Sequence, residues 1–220
     1  MTAPADLRHE YALAGRGFAR VAGLDEAGRG AWAGPVVAGA VILPLDRFDL
    51  AHALRGVNDS KQLTPAEREA LLPLIAGTAL AVGVGYATQG EIDALGIVPA
   101  TRQAMQRALD ALPVAPDALL VDGRALSAFA LPCLAMDKGD QQSLSIAAAS
   151  IVAKVTRDRF MDSLDDLFPQ YGFREHKGYG TPLHQGALRA FGPCAAHRLT
   201  FAPLRALLSA ATAAREQPAP

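Results

Sequence analysis

The sequence predicts a compact α/β protein, and three observations carry that reading. Short runs rich in valine, alanine and glycine alternate with segments that carry helix-start signals. Half of the 220 residues are hydrophobic and only 6% aromatic, with abundant alanine, glycine and proline, which suits a tightly packed core in one domain of ordinary size. Finally, the apolar run Ala118-Leu119-Leu120-Val121 ends in Asp122-Gly123, in the manner of a buried parallel strand whose C-terminal end faces a ligand.

In chain order, residues 20–25, 36–43 and 79–87 read as strands bounded by turn residues. The connection between the first two, with Gly30 and Gly34-Pro35, favours an antiparallel pair. Thr64-Pro65-Ala66-Glu67 is a capping box with proline at the first helical position, so a helix is expected from there to about Gly77, bent at Pro73. Thr88-Gln89-Gly90-Glu91 repeats the signal, and a longer helix is expected over residues 99–111, limited by the proline that begins it. Residues 118–123 read as the parallel strand, 131–135 as a short strand and 142–168 as a long Ala/Ile/Val-rich helix. The last third reads as helices and loops, with residues 215–220 a frayed, disordered tail.

A formal net charge of −1 provides no global field that would draw the chain to nucleic acid or a membrane, so any polyanion must be held by a local patch. Cys133 and Cys194 fit no zinc or redox spacing and read as reduced thiols of a cytoplasmic protein. The N-terminus lacks a basic region followed by an apolar stretch, and no apolar run approaches membrane-spanning length, so neither export nor membrane insertion is expected. With no long heptad or apolar stripe, a monomer is expected.

The chemistry-bearing residues begin at Asp25-Glu26-Ala27-Gly28-Arg29-Gly30, adjacent carboxylates placed where the chain should be core. Paired carboxylates attract a divalent metal, flanking glycines let backbone approach a ligand, and a guanidinium matches a phosphate. Asp122 and Asp140 also sit at strand ends or helix starts. Gathered together, these acids would repel unless neutralised, for which Mg²⁺ or Mn²⁺ with hard oxygen ligands is suited. A metal pair about 4 Å apart can activate a water and stabilise the leaving oxygen of an in-line phosphodiester displacement. Structural alternatives exist: Asp140 as a helix N-cap and Asp122 as the opening of a turn. On an extended strand Asp25 and Glu26 face opposite sides, so Glu26 would reach a shared metal through water or its backbone carbonyl unless the strand ends or bulges there.

From Tyr171 to Arg205 the chain carries Arg174, Lys177, Arg189, Arg198, Arg205 and three histidines against a lone Glu175, either a polyanion surface or an ordinary solvated basic face. Within it, His176-Lys177-Gly178-Tyr179-Gly180-Thr181 offers donors, flexible backbone and a ring suited to stacking on a sugar or base. Ser150, Lys154 and Arg157 share one face of the long helix and Lys61 precedes a capped helix, so each could meet a phosphate or be a plain surface group.

Together these segments resemble ribonuclease HII, the type 2 bacterial ribonuclease H. The resemblance rests on Leu24-Asp25-Glu26-Ala27-Gly28-Arg29-Gly30, Gly34-Pro35-Val36-Val37-Ala38, Asp59-Ser60-Lys61-Gln62-Leu63, Val121-Asp122-Gly123, Lys138-Gly139-Asp140, residues 146–158, His176 to Thr181 and His197-Arg198, in the family's order. It implies a ribonuclease H-like mixed five-stranded sheet flanked by helices over residues 1–170, and a small helical C-terminal extension over 171–220 that helps hold the hybrid. It implies that Asp25, Glu26, Asp122 and Asp140 form the acidic site for two Mg²⁺ or Mn²⁺ ions, with Lys61, Lys154 and Arg157 as candidates for holding phosphates. It further implies that Gly28-Arg29-Gly30 contacts the backbone around the scissile phosphate and senses the ribose 2′-hydroxyl, with Tyr179 against the adjoining sugar. The implied activity is hydrolysis of the RNA strand of RNA·DNA hybrids and nicking 5′ to a single ribonucleotide in duplex DNA, leaving 5′-phosphate and 3′-hydroxyl ends. Gln141-Gln142 and Pro182-Leu183 stand where relatives often carry lysine, which predicts weaker non-specific hybrid affinity. Gly28-Arg29-Gly30 separates the chain from the type 3 enzyme, whose extra N-terminal module would not fit in the roughly twenty residues before Asp25. Nothing in the tail speaks for or against recruitment by a replication clamp. Rival readings are a non-catalytic hybrid-binding module of the same fold and a small-molecule nucleotide enzyme, which would need a glycine-rich turn from strand into helix.

Overall fold

In the computed structural model, which describes residues 5–126 and 128–216, strand β1 (Val21–Ala27) runs two residues past the expected end at Asp25. With β2 (Val36–Ile42), β3 (Ala81–Ala87), β4 (Ala118–Asp122) and β5 (Cys133–Met136) it forms one sheet in the order β3-β2-β1-β4-β5. β1 pairs antiparallel with β2 and parallel with β4, β2 pairs antiparallel with β3, and β4 parallel with β5. The sheet is therefore mixed and five-stranded, as expected, and the glycines after Asp25-Glu26 lead into an antiparallel strand rather than a helix. That geometry removes the small-molecule nucleotide reading.

The helices are α1 (Arg8–Ala14), α2 (Leu50–Ala53), α3 (Pro65–Thr78), α4 (Gln89–Leu95), α5 (Ile97–Asp110), α6 (Leu144–Leu167), α7 (Phe173–His176), α8 (Pro182–Phe191) and α9 (Ala202–Glu216). The Thr64-Glu67 and Thr88-Glu91 capping boxes both form and start α3 and α4. α5 begins at Ile97, two residues ahead of Pro99, because proline in the first turn gives up an N–H that has no partner in a helix start. α9 reaches Glu216, two residues into the segment expected to fray, while residues 217–220 lie outside the described residues. No helix among the described residues is long and apolar enough to cross a membrane.

Strand periodicity sorts the core into two faces. Ala22 and Leu24 of β1, Ala38 and Ala40 of β2 and Leu119 and Val121 of β4 pack beneath α5. Val41 packs beneath α6, and Val21, Ala118 and Leu120 meet Ile146 on that same face. Counting in twos, Asp25 and Asp122 fall on the α6 face and Glu26 on the other.

α6 lies very close to the sheet. A Cβ at Gly23 would overlap the backbone of Ser145, and one at Gly39 would overlap the carbonyl oxygen of Ala149. Further along the helix, side chains at Gly28 and Gly34 would collide with Arg157 and Met161. Positions 145, 149, 157 and 161 are separated by multiples of four, one ridge of the helix laid into a glycine-cleared groove. Beyond α6, Tyr171, Phe173, Leu188 and Leu204 form a further apolar cluster with Met161 and Ala33, which packs the C-terminal helices onto the core.

Because Gly39 sits opposite Asp25 in the β1–β2 register, a side chain there would lift α6 away from the acids. Gly39→Ala is expected to destabilise the protein by about 1–3 kcal/mol through overpacking, read as a lowered urea midpoint with an unchanged denaturant slope.

Candidate metal centre

Asp25, Asp122 and Asp140 each offer a carboxylate oxygen, all within 4.8 Å of one another. Asp25 and Asp122 reach this point from neighbouring parallel strands, one residue beyond the registered pair Leu24↔Val121. Asp140 comes from a short 3₁₀ turn, Gly139–Gln141, immediately before α6. It is not the cap of that helix: Ser143 is, its hydroxyl accepting from the Ile146 N–H at 3.2 Å. Asp122 does more than open a turn, since its Oδ1 accepts from the Gly139 N–H at 2.7 Å and ties the strand end to the turn bearing Asp140.

Glu26 stands apart from this trio. β1 continues through Ala27 without ending at the acids, so its carboxylate leaves from the opposite face, where Oε1 accepts from Arg29 Nη1 at 3.2 Å. Its Oε2 is buried with no hydrogen-bond partner.

Crowding has an electrostatic consequence. Burial first, then repulsion from Glu26, Asp122 and Asp140, holds the Asp25 carboxyl well above the ordinary range. Burial raises Asp140 to about 6 against the pull of Lys61, with Asp59 and Asp122 adding to the rise. Glu26 is raised by burial, partly offset by Arg29. Lys61 is the cation at this edge, its ammonium 3.3 Å from Asp140 Oδ2 and 4.0 Å from Asp59 Oδ1. Partial desolvation opposes its charge, but Asp140, Asp25 and Asp59 together hold its pKa above the ordinary value. Buried, hard-oxygen donors with so little compensating positive charge fit Mg²⁺ or Mn²⁺. Asp25, Asp122 and Asp140 are the residues that would hold such ions, with Glu26 beside them.

The loop bearing Lys61 is fixed to α6. Ser150 is buried, its hydroxyl donating to the Ala147 carbonyl and accepting from the Ser60 N–H at 3.3 Å. Ser150 is thus a tie between elements and not the phosphate contact its spacing suggested. Gln141, in place of the expected lysine, donates to Asp59 Oδ2 at 3.1 Å and holds the same loop to the turn of Asp140.

The Gly28-Arg29-Gly30 turn rests on two buried arginines. Gly28 has φ +94 and lies directly over the Arg157 guanidinium, so the position demands glycine on both counts. Arg157 is fully buried and donates to the carbonyls of Pro35 and Ala33 at 3.1 and 3.2 Å. Its Nη1 is buried with no hydrogen-bond partner, so the residue expected to meet a phosphate is held beneath the turn with one donor atom uncommitted. Arg198 escaped the sequence reading as a site residue and stood there only in the basic run and in the His197-Arg198 pair of the resemblance. It is also fully buried and donates to the carbonyls of Gly34 and Arg29 at 3.0 and 2.9 Å. Burial and the neighbouring charge of Arg157 lower its pKa to about 9. Over Arg157 lies the ring of Tyr179, 5.5 Å from the guanidinium carbon, a cation–π pair that puts the exposed ring beside the turn.

Other expected cations are already engaged. Lys154 pairs with Asp158 at 2.6 Å, and Arg68 reaches the same carboxylate at 3.5 Å. The basic excess after Tyr171 is largely neutralised by α6: Arg174 meets Asp165 and Asp166, Lys177 meets Asp162, and Arg198 is buried. Arg189 and Arg205 remain exposed on that surface.

A sequence-family model described as Ribonuclease HII matches residues 22–203. Ribonuclease HII from Chloroflexus aurantiacus is 56% identical over 205 residues, covering 93% of this chain and 97% of the relative. The crystal structure of the ribonuclease H2 from Pyrococcus horikoshii OT3 superposes with a TM-score of 0.74 at 28% identity, covering 90% of this chain and all of that one. The PCNA:RNase HII complex from Archaeoglobus fulgidus contains a chain with a TM-score of 0.70 at 27% identity, covering 83% of this chain and 95% of that one.

Since Asp25 and Asp140 bind protons more tightly folded than unfolded, their contribution to metal-free stability is present at low pH and is lost as pH rises, through about 6 for Asp140. Asp25→Asn, which carries no charge at any pH, is therefore expected to raise the Tm of the metal-free protein at pH 7. Millimolar Mg²⁺ or Mn²⁺ should raise the Tm of the unsubstituted protein and leave that of the variant nearly unmoved.

Proposed function

This chain belongs to the ribonuclease HII family, a family of metal-dependent ribonucleases that cleave the RNA strand of RNA·DNA hybrids, and from that membership we propose that it also nicks duplex DNA on the 5′ side of a single embedded ribonucleotide. The products are a 5′-phosphate and a 3′-hydroxyl. The observation that carries the reading is the juxtaposition of the Asp25, Asp122 and Asp140 carboxylates with the glycine-flanked Arg29 turn, joined through the single strand β1.

Two divalent ions held by these acids, with Glu26 assisting, would supply an activated water and charge stabilisation at the leaving 3′-oxygen. The chain's own residues account for positioning. Gly28 and Gly30 present backbone to the nucleotide at close range, and Gly30 is exposed with open space above it. The Arg29 guanidinium, partly exposed and steered by Glu26, meets a phosphate beside the site. Arg198 holds the Arg29 carbonyl and Arg157 the carbonyls of Ala33 and Pro35 just after the turn, so that its shape is set before substrate arrives. Tyr179 stacks on the sugar next to the ribonucleotide, and a turn fixed on one side with a ring on the other is suited to reading a single 2′-hydroxyl. Lys61 neutralises charge at the edge of the acids, and Lys154, through its pair with Asp158, acts on phosphate only at a distance.

The intact acid set and the family membership set aside the non-catalytic hybrid-binding module. The free thiols of Cys133 and Cys194 support a cytoplasmic setting. The complex of the Archaeoglobus fulgidus relative with PCNA supports extending the reading to recruitment by a sliding clamp.

Cleavage of a labelled duplex carrying one ribonucleotide, with Mg²⁺ or Mn²⁺ and with chelator, tests the proposal at nucleotide resolution. A metal-dependent nick on the 5′ side is expected; cleavage confined to long hybrids would overturn junction reading. Asp122→Asn is expected to lower turnover at least about a hundredfold while leaving substrate Kd within about threefold, measured by single-turnover cleavage and by equilibrium binding in chelator.

A further inference from the structure

Three buried histidines stand behind Tyr179, outside the acidic site, and the proton on each ring can be assigned from partners whose roles are fixed. A backbone N–H can only donate and a carbonyl can only accept. The Cys194 N–H lies 2.9 Å from His197 Nδ1, so that nitrogen accepts and the ring proton sits on Nε2. The Cys194 thiol, a second donor, is 3.2 Å away, and the Cys194 carbonyl is the longer contact at 3.3 Å. His197 Nε2 then donates to His184 Nε2 at 3.0 Å, which leaves the His184 proton on Nδ1. Nδ1 faces the Tyr179 carbonyl at 3.0 Å. A donor at one end and an acceptor at the other therefore agree on a single tautomer for both rings.

His176 closes the same loop by an independent route. Its Nδ1 accepts from the Gly178 N–H at 3.2 Å, and its Nε2 donates to the Tyr171 carbonyl at 2.8 Å. The ring stacks on His184 with centroids 4.4 Å apart and planes 12° from parallel. Tyr171, Phe173 and Trp32 wall the cluster. Burial, with the nearby His176, lowers both His184 and His197 to about 4, which keeps the rings neutral under working conditions.

Both ends of this relay bear on substrate reading. His197 precedes Arg198, whose guanidinium holds the Arg29 carbonyl, and the segment pairs with the chain after the turn through the Arg198 N–H to the Trp32 carbonyl at 2.8 Å. At the other end the relay fixes the peptide of Tyr179. We propose that His184 and His197 are positioning residues that set the backbone of Tyr179 relative to the Gly28-Arg29-Gly30 turn, and so govern discrimination of a single-ribonucleotide junction rather than bond cleavage itself. The inference rests on the reading of Tyr179 as the contact to the adjoining sugar.

Nitrogen-15 NMR of the histidine rings in the full chain at neutral pH tests the relay without reference to activity. The expected pattern is an Nδ1–H tautomer for His184 and Nε2–H tautomers for His176 and His197; an Nε2–H tautomer at His184 overturns the proposal. Kinetics then tests its consequence. His184→Leu is expected to lower kcat/KM on a single-ribonucleotide duplex at least about tenfold and on a long hybrid less than about threefold. His184→Asn, whose amide can still donate to the Tyr179 carbonyl, should recover most of the loss. Equal loss on both substrates, or no recovery by asparagine, overturns the positioning role. If the unsubstituted protein nicks no single-ribonucleotide duplex, the proposed function falls by itself, while the tautomer pattern still decides the relay.

Discussion

The seat of α6 against β1 and β2 is the constraint on which the rest of the site depends. It exists because Gly23 and Gly39 have no side chains to hold the helix off. Everything that matters is hung from that helix at successive turns. At its start, Ser143 caps the backbone, and the buried Glu10 of α1 accepts from the Ser143 hydroxyl at 2.6 Å and from the Ser145 N–H at 2.9 Å. Negative charge at a helix N-terminus is favourable, and here it also pins the turn that carries Asp140. About two turns on, Ser150 ties down the loop of Lys61; further along, Arg157 supports the Arg29 turn; and the acidic C-terminal half anchors Arg174 and Lys177 of the extension.

The site is built from two opposed electrostatic halves. Three aspartates are gathered where their charges repel, and burial with that repulsion raises the carboxyls of Asp25 and Asp140 above their ordinary range. A few residues away along β1, two fully buried guanidiniums have no acidic partner among their hydrogen bonds and instead satisfy carbonyls beneath the turn. The first half calls for divalent cations and the second for an anion above it. Under the proposed function, a phosphodiester with divalent ions would meet both demands at once.

Much of this was legible in the sequence because local signals and global fold agree. Capping boxes at Thr64 and Thr88 formed as written, and the strand ending in Asp122 is parallel to both its neighbours, β1 and β5. The alternation of side chains along a strand separates Asp25 from Glu26 in the sequence, and β1 places them on opposite faces. That Arg157 and Ser150 are buried was not legible, because helical spacing reports which residues share a face, not whether that face looks inward. Here it does, since the glycines that admit it lie on other elements. The basic run after Tyr171 reads either way in the sequence for a related reason: its neutralising aspartates lie on α6, before Tyr171. The histidine relay carries no spacing signal at all, because its order depends on backbone donors and acceptors that only the fold brings together.

The most direct measurement is calorimetric titration of Mn²⁺ into the metal-free protein at pH 6, repeated in buffers of different ionisation enthalpy. If the buried aspartates hold protons that the ions displace, binding will release protons, and the release will shrink as the pH is raised. Binding with no proton release, or no binding at all, would contradict the account of how this acidic cluster is built and what it is for.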